Sequence, residues 1–265
     1  LTLFASLGLG PARVIAICGA GGKTSLMFAL AGELADAGER VLMTTTTRLA
    51  LEQVRGRWPG VMAADANAIA AMASPHPGPI IAFRGVDETR GKALGYAPEV
   101  IDLVAERGPF TKILVEADGS ARRPLKAPAD HEPVFPARTD AVVIVAGATG
   151  LGRPLSEEIV FRSQIWSRLT GVAPGEPVTP ESLAVMVAHP DGLARTAPAS
   201  AHRALFINQA DDGTLLALAM RTLECLADGT GERPARAAIG RLLPHPLILR
   251  EARHARAASD RRGPP

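Results

Sequence analysis

Short, uninterrupted apolar runs alternate with longer amphipathic stretches from residue 13 to residue 145. That alternation predicts a parallel sheet with helices on both faces, because a strand covered on two sides needs apolar residues at every position. Residues 14–18 form the first such run, 24–37 read as a helix closed by Gly38, and 41–45 read as the next strand. Further strands are expected at 80–83, 113–116, 141–146 and 205–208, with helices at 63–72, 98–107, 156–170 and 213–226. The stretch 172–201 is rich in Pro and Ala and carries a helical pattern at 180–188, so a small inserted subdomain is expected there. Residues 251–265 are Arg-rich and short of large apolar side chains, which predicts a disordered tail after one large domain spanning 1–250.

Composition narrows the function classes. With 47% apolar and 21% charged residues, a chain of 265 residues can bury a sizeable core. The formal net charge is +2 and the basic residues are scattered, so neither nucleic acid nor a membrane surface is expected as a partner. Cys18 and Cys225 lie far apart without metal-ligand spacing, which fits a reducing compartment and makes the cytoplasm the expected location. The opening residues 1–12 are expected to be a helical or loose lead-in, too short to span a bilayer.

The first strand runs directly into Gly19-Ala20-Gly21-Gly22-Lys23-Thr24-Ser25, and the helix follows. Gly-x-x-Gly-Lys-Thr is two residues shorter between its glycines than the usual phosphate loop, but its place between strand and helix is the one such a loop needs. There, backbone N–H groups and the positive helix end converge on one anion. Lys23 is expected to pair with the β- and γ-phosphates of ATP or GTP, and the Thr24 hydroxyl to ligate Mg²⁺. The fold expected is therefore α/β and P-loop NTPase-like. Only four of the 29 basic residues are lysine (Lys23, Lys92, Lys112 and Lys126), which makes a lysine in the loop the more telling.

The strand at 113–116 delivers Glu116 and, two residues on, Asp118 to its C-terminal end, where ligands sit in open α/β sheets. One carboxylate is expected to hold Mg²⁺ and the other to orient or deprotonate an attacking group; the alternative is a solvated turn before Gly119. Thr44 to Thr47, followed by Arg48, end the second strand at the same sheet edge, although threonine is also simply a good strand residue. Arg122, Arg123 and Lys126 gather cations in a loop expected to face the phosphates. Asn208-Gln209-Ala210-Asp211 stands where guanine-specific proteins of this class carry Asn-Lys-x-Asp, so Asn208 and Asp211 are candidate base readers, with helix capping as the competing role. His76, His189 and His245 each adjoin a proline and are expected in surface loops.

Taken together, Gly19 to Thr24, Thr44 to Arg48, Val115 to Ser120, Arg123 to Pro128 and His131 to Pro133 resemble the YqeC family of selenium-dependent molybdenum hydroxylase accessory proteins. The resemblance runs over about residues 14–161 and again near Asn208. It implies a P-loop domain that assists maturation of a molybdenum hydroxylase or its cofactor. A looser likeness to Mur-type ligases, through the short loop and the strand-end Glu116, would make Glu116 a Mg²⁺ ligand. The leading expectation is a nucleotide-binding accessory protein with NTPase activity. A nucleotide-dependent transferase or ligase acting on a small cofactor, and a nucleotide-gated binding module without useful turnover, are the alternatives.

Overall fold

The computed structural model describes residues 2–54, 58–72, 78–229 and 231–253. After a short helix α1 (Leu3–Ser6), the chain alternates β1 (Val14–Gly19), α2 (Lys23–Asp36) and β2 (Val41–Thr45), then enters an excursion. This comprises β3 (Arg48–Ala50), α3 (Leu51–Val54), β4 (Gly60–Met62), α4 (Ala66–Ala71), β5 (Ile80–Phe83), β6 (Gly85–Asp87) and β7 (Lys92–Leu94). There follow α5 (Pro98–Arg107), β8 (Lys112–Glu116), β9 (Leu125–Lys126), β10 (Ala141–Gly147), β11 (Val160–Phe161) and α6 (Ser163–Thr170). The last elements are α7 (Pro180–Ala188), β12 (His202–Asn208), α8 (Gly213–Asp228), β13 (Arg236–Arg241) and β14 (Leu247–Arg253).

Nine strands form one sheet in the order β14-β13-β12-β10-β1-β8-β2-β5-β4. Every pairing is parallel except that of β14, which closes one edge antiparallel to β13. Strand side chains alternate between two faces. Ile15 and Ile17 of β1 join Val143 and Val145 of β10 under α1 and α2, whereas Ala16 and Cys18 join Val142 and Ile144 under α6, α7 and α8. A third cluster, around Val14, Ile113 and Val115, is covered by α4 and α5. The protein is thus a single α/β domain with a mostly parallel central sheet flanked by helices, an architecture consistent with a P-loop NTPase-like fold.

Three sequence expectations change. The stretch 172–201 is no separate subdomain: Val178, Leu183, Met186 and Leu193 belong to the same cluster as Ile144 and Ile207. The helix expected at 156–170 loses its first half, because Val160 and Phe161 pair with β9 and Arg162 turns through a left-handed conformation (φ +64°) before α6 begins. Glu157 caps that start, accepting from the N–H groups of Arg162 and Ser163 at 3.1 and 2.7 Å. Residues 251–253, expected to open a tail, complete β14; residues 254–265 lie outside the described ones. Among the described residues no helix is long and apolar enough to cross a membrane.

Candidate functional site

The turn from β1 into α2 is built from glycines because nothing larger fits. Gly19, Gly21 and Gly22 adopt φ of +95°, +81° and +127°, a region that L side chains disfavour. A Cβ on Gly19 would stand 2.2 Å from the Val145 carbonyl oxygen, one on Gly21 2.4 Å from the Gly147 nitrogen, and one on Gly22 2.4 Å from the Asn208 amide. The loop is fastened in place: the Ala20 N–H donates to Val145 O at 2.9 Å, and Asn208 Nδ2 donates to Gly21 O at 2.7 Å. No side chain caps α2, so the N–H groups of its first turn are left for another acceptor.

Five buried charged groups, Lys23, Glu116, Asp118, Lys126 and Glu132, lie around or lead away from this turn. Lys23 Nζ donates to Gly19 O at 2.9 Å and stands 3.4 Å from Asp118 Oδ1 and 3.7 Å from Glu116 Oε1. Thr24 Oγ1 donates to Glu116 Oε2 at 2.8 Å. Asp118 Oδ2 accepts from the Gly19 N–H at 3.1 Å and from Lys126 Nζ at 2.8 Å. Lys126 continues the chain to Glu132 at 2.7 Å, and Glu132 is gripped by both terminal nitrogens of Arg162 at 2.8 and 3.1 Å. Signs alternate along Lys23, Asp118, Lys126, Glu132 and Arg162, so each group in this chain faces one of opposite sign.

Burial pushes the Glu116 carboxyl above the usual carboxylate range, more than the Lys23 charge and the Thr24 hydroxyl pull it down. Burial would also lower Lys23, but the Asp118 and Glu116 carboxylates outweigh it and raise the ammonium. The same charges thus favour the Lys23 ammonium, while burial disfavours the Glu116 carboxylate. Glu132 is held low, its burial overcome by hydrogen bonds from Arg162 and by Lys126.

Above this floor lies a cleft of about 490 Å³ whose walls include Gly21, Gly22, Lys23, Thr24, Ser25 and Glu116. Its rim carries Arg48 and Lys92 on one side, Arg122 and Arg123 on a second, and Thr149 and Gln209 on a third. Arg48 and Lys92 come from β3 and β7 of a small antiparallel sheet, order β3-β7-β6. Five cations against one carboxylate give the lining an excess of positive charge. A second cavity, of about 370 Å³, shares Ala50, Lys92 and Arg122 with it and is otherwise walled by residues including Glu52, Glu88 and Arg90.

The structure sorts the residues singled out from sequence. Gly21, Gly22, Lys23, Thr24, Ser25 and Glu116 meet at the cleft, whereas Gly19 and Ala20 lie beneath it. Asp118 is fully buried behind Lys23, and its Oδ1 has no hydrogen-bond partner. Asn208 is not among the residues lining the cleft; its Nδ2 donates to Gly21 O, and its buried Oδ1 has no hydrogen-bond partner. Asp211 is exposed and outside the lining, and it is Asp212 that caps α8, accepting from the Leu215 N–H at 2.8 Å. The threonine hydroxyls are consumed structurally: Thr44 donates to Ala82 O, Thr45 to Glu116 O and Thr46 to Val134 O. Lys126 points inward to Asp118 instead of toward the cleft. His189 ends α7, His245 is exposed, and His76 lies outside the described residues.

Sequence reading gave no site role to Lys92, to Glu132 within the His131 to Pro133 motif, or to Arg162. For Lys92 a signal existed in the scarcity of lysine: Lys23, Lys112 and Lys126 are buried, and the fourth lines the cleft. Among the described residues no group of three or more His, Cys, Asp or Glu side chains is arranged to hold a metal ion.

A protein-family model described as YqeC protein matches residues 15–164, which hold every charged group from Lys23 to Arg162 described above. A relative in Escherichia coli (strain K12), described as uncharacterized protein YqeC, is 38% identical over 198 residues, covering 74% of this chain and 75% of its own length.

Proposed function

The chain belongs to the YqeC family, and from that premise we propose that it binds a nucleoside triphosphate, ATP or GTP, together with Mg²⁺, and uses it in an accessory step of enzyme maturation. The observation that carries the binding is the meeting of an uncapped helix start and the Lys23 ammonium at one cleft. Backbone amides and a fixed lysine at a helix N-terminus are the chemistry that a chain of phosphates selects.

Thr24 and Glu116 are the residues that would hold Mg²⁺. Their oxygens lie 2.8 Å apart at the cleft wall, a hard-oxygen pair suited to an ion that keeps few protein ligands and takes the rest from phosphate and water. Bound there, the ion would neutralise phosphate charge, and the raised Glu116 carboxyl would ionise to meet it. Asp118 acts as a positioning residue, holding Lys23 and the Gly19 amide in place. Attachment of this activity to selenium-dependent molybdenum hydroxylases follows from the family resemblance, not from a side chain in the cleft. Cys18 is a poor candidate for such chemistry: it is fully buried, and burial, then the Asp118 charge, raises its thiol well above the ordinary range.

Calorimetric titration with ATP and GTP, with and without Mg²⁺, tests the reading. Binding should require Mg²⁺, fall by about tenfold or more in Lys23→Ala, as loss of a charge-assisted hydrogen bond implies, and lose its Mg²⁺ dependence in Glu116→Gln. Absence of any triphosphate binding by the wild-type chain overturns it. A transferase or ligase is the second reading, favoured by the cavity that adjoins the cleft.

A further inference from the structure

We propose that the outer part of the cleft is a second binding site, for a phosphate-bearing small molecule held by Arg48 and Lys92 of the small sheet and by Arg122 opposite. The inference rests on the triphosphate reading of the inner part, because only then are the outer cations surplus. A triphosphate with Mg²⁺ satisfies the loop amides, Lys23, Thr24 and Glu116. The Arg48 and Lys92 side chains then remain at the rim with neither a hydrogen bond nor a direct ion pair among the described residues, Arg48 feeling only the charge of Asp87 from a distance. By contrast, Lys112 donates to the Gly10 and Ala12 carbonyls at 3.0 and 2.6 Å, and Lys126 is paired on two sides.

Topology separates the two ligands. The loop after β1 has the tips of β10 and β12 on one side, contributing the neutral Thr149 and Gln209, and β2 with its continuation into β3 on the other, contributing cations. A nucleoside, uncharged and rich in donors and acceptors, suits the first side; a second phosphate suits the other. The second cavity extends on the cationic side, where Ala50 and Lys92 are direct partners in the β3–β7 pairing and line both spaces. Its Glu52 and Glu88 offer acceptors to amino or hydroxyl groups on the remainder of such a ligand.

Backbone conformation points the same way. Ala121 and Arg122, neither a glycine, take consecutive left-handed conformations (φ +47° and +61°), an arrangement that costs about 1–2 kcal/mol per residue and is found clustered at active sites and ligand clamps. It brings Arg122 to an ion pair with Glu52, at the junction of the two spaces.

The test is calorimetry of inorganic phosphate added to protein saturated with Mg²⁺ and a non-hydrolysable triphosphate analogue. Phosphate should bind, and the double variant Arg48→Ala/Lys92→Ala should weaken it by about tenfold while leaving analogue affinity within about threefold of wild type. No phosphate binding, or binding indifferent to the double variant, overturns the proposal. So does a parallel tenfold loss of analogue affinity, which would give the outer cations to the nucleotide itself. Phosphate titrated into Lys23→Ala without nucleotide separates the two readings: binding that depends on Arg48 and Lys92 there, beside a wild-type chain that ignores triphosphates, would sink the inner assignment and keep the outer one.

Discussion

Replacing Lys126 with methionine removes one ammonium from the centre of the buried charge chain while keeping nearly the same length and bulk. Lys126 is 1% exposed and makes three short hydrogen bonds, to Asp118 at 2.8 Å, Glu132 at 2.7 Å and Gly119 O at 2.7 Å. Removing one partner of a buried ion pair typically costs about 3–5 kcal/mol, chiefly because the other charge is left stranded. Here neither carboxylate is fully stranded, since Asp118 keeps Lys23 and the Gly19 N–H, and Glu132 keeps Arg162. The lower end, about 3 kcal/mol, is therefore expected, or a Tm roughly 6–12 °C lower for a domain of this size.

The loss should also depend on pH. Glu132 sits below its ordinary value of 4.5 in the fold, so its contribution is fully present above that value and disappears as pH falls through the lower folded one. The gap between wild type and Lys126→Met should accordingly be largest near neutrality and narrow below pH 4.5. Urea unfolding followed through Trp166, which is completely buried, measures it at each pH. A loss under about 1 kcal/mol at pH 7, or a gap that widens in acid, would refute the view that Lys126 joins two ionised carboxylates.

Three further outcomes are expected. Asn208→Ala should cost about 1–2 kcal/mol in equilibrium unfolding, as loss of a buried amide bond does, and weaken ATP and GTP equally in parallel titrations; a changed preference between them would return Asn208 to the base. Gly21→Ala combines a φ of +81° with a Cβ placed 2.4 Å from Gly147 N, so a destabilisation of about 3 kcal/mol or more is expected by thermal melting, and a variant of native stability would contradict the loop geometry. In the native protein a thiol reagent should modify Cys225 only, and sluggishly at neutral pH because burial and then the Glu181 charge raise its thiol. Mass spectrometry finding Cys18 labelled before unfolding would contradict its burial against the Leu193 carbonyl.

The parts of the fold legible in the sequence are those that local chemistry decides. β1 is apolar at every position and the glycines after it admit only a loop, so strand, loop and α2 emerge within a residue or two of where they were expected. β13 and β14 were missed for the opposite reason. Arg-Ala-Ala-Ile-Gly-Arg has little strand character of its own, and β14 ends in Arg-Glu-Ala-Arg; β13 is a strand because β12 offers an edge to pair with, and β14 because β13 then offers the next. The helix expected at 156–170 had the right periodicity, and β9 claimed part of it. The same division holds at the cleft. Lys23, Thr24 and Glu116 could be named from motifs at strand ends, whereas the links from Asp118 through Lys126 and Glu132 to Arg162 join residues whose meeting only the fold determines.

The glycine at the tip of β10 carries the last consequence. Gly147 is closed on three sides: a Cβ there would stand 2.3 Å from the Gln209 side chain, 3.0 Å from Pro124 O and 3.2 Å from the Cα of Gly21. Gly21 is closed by Gly147 in return. Four segments distant in sequence thus meet at one point, and neither glycine can take a side chain unless its neighbours retreat. Divergence among relatives should run around this knot, with novelty entering through the rim residues while the floor descends unchanged.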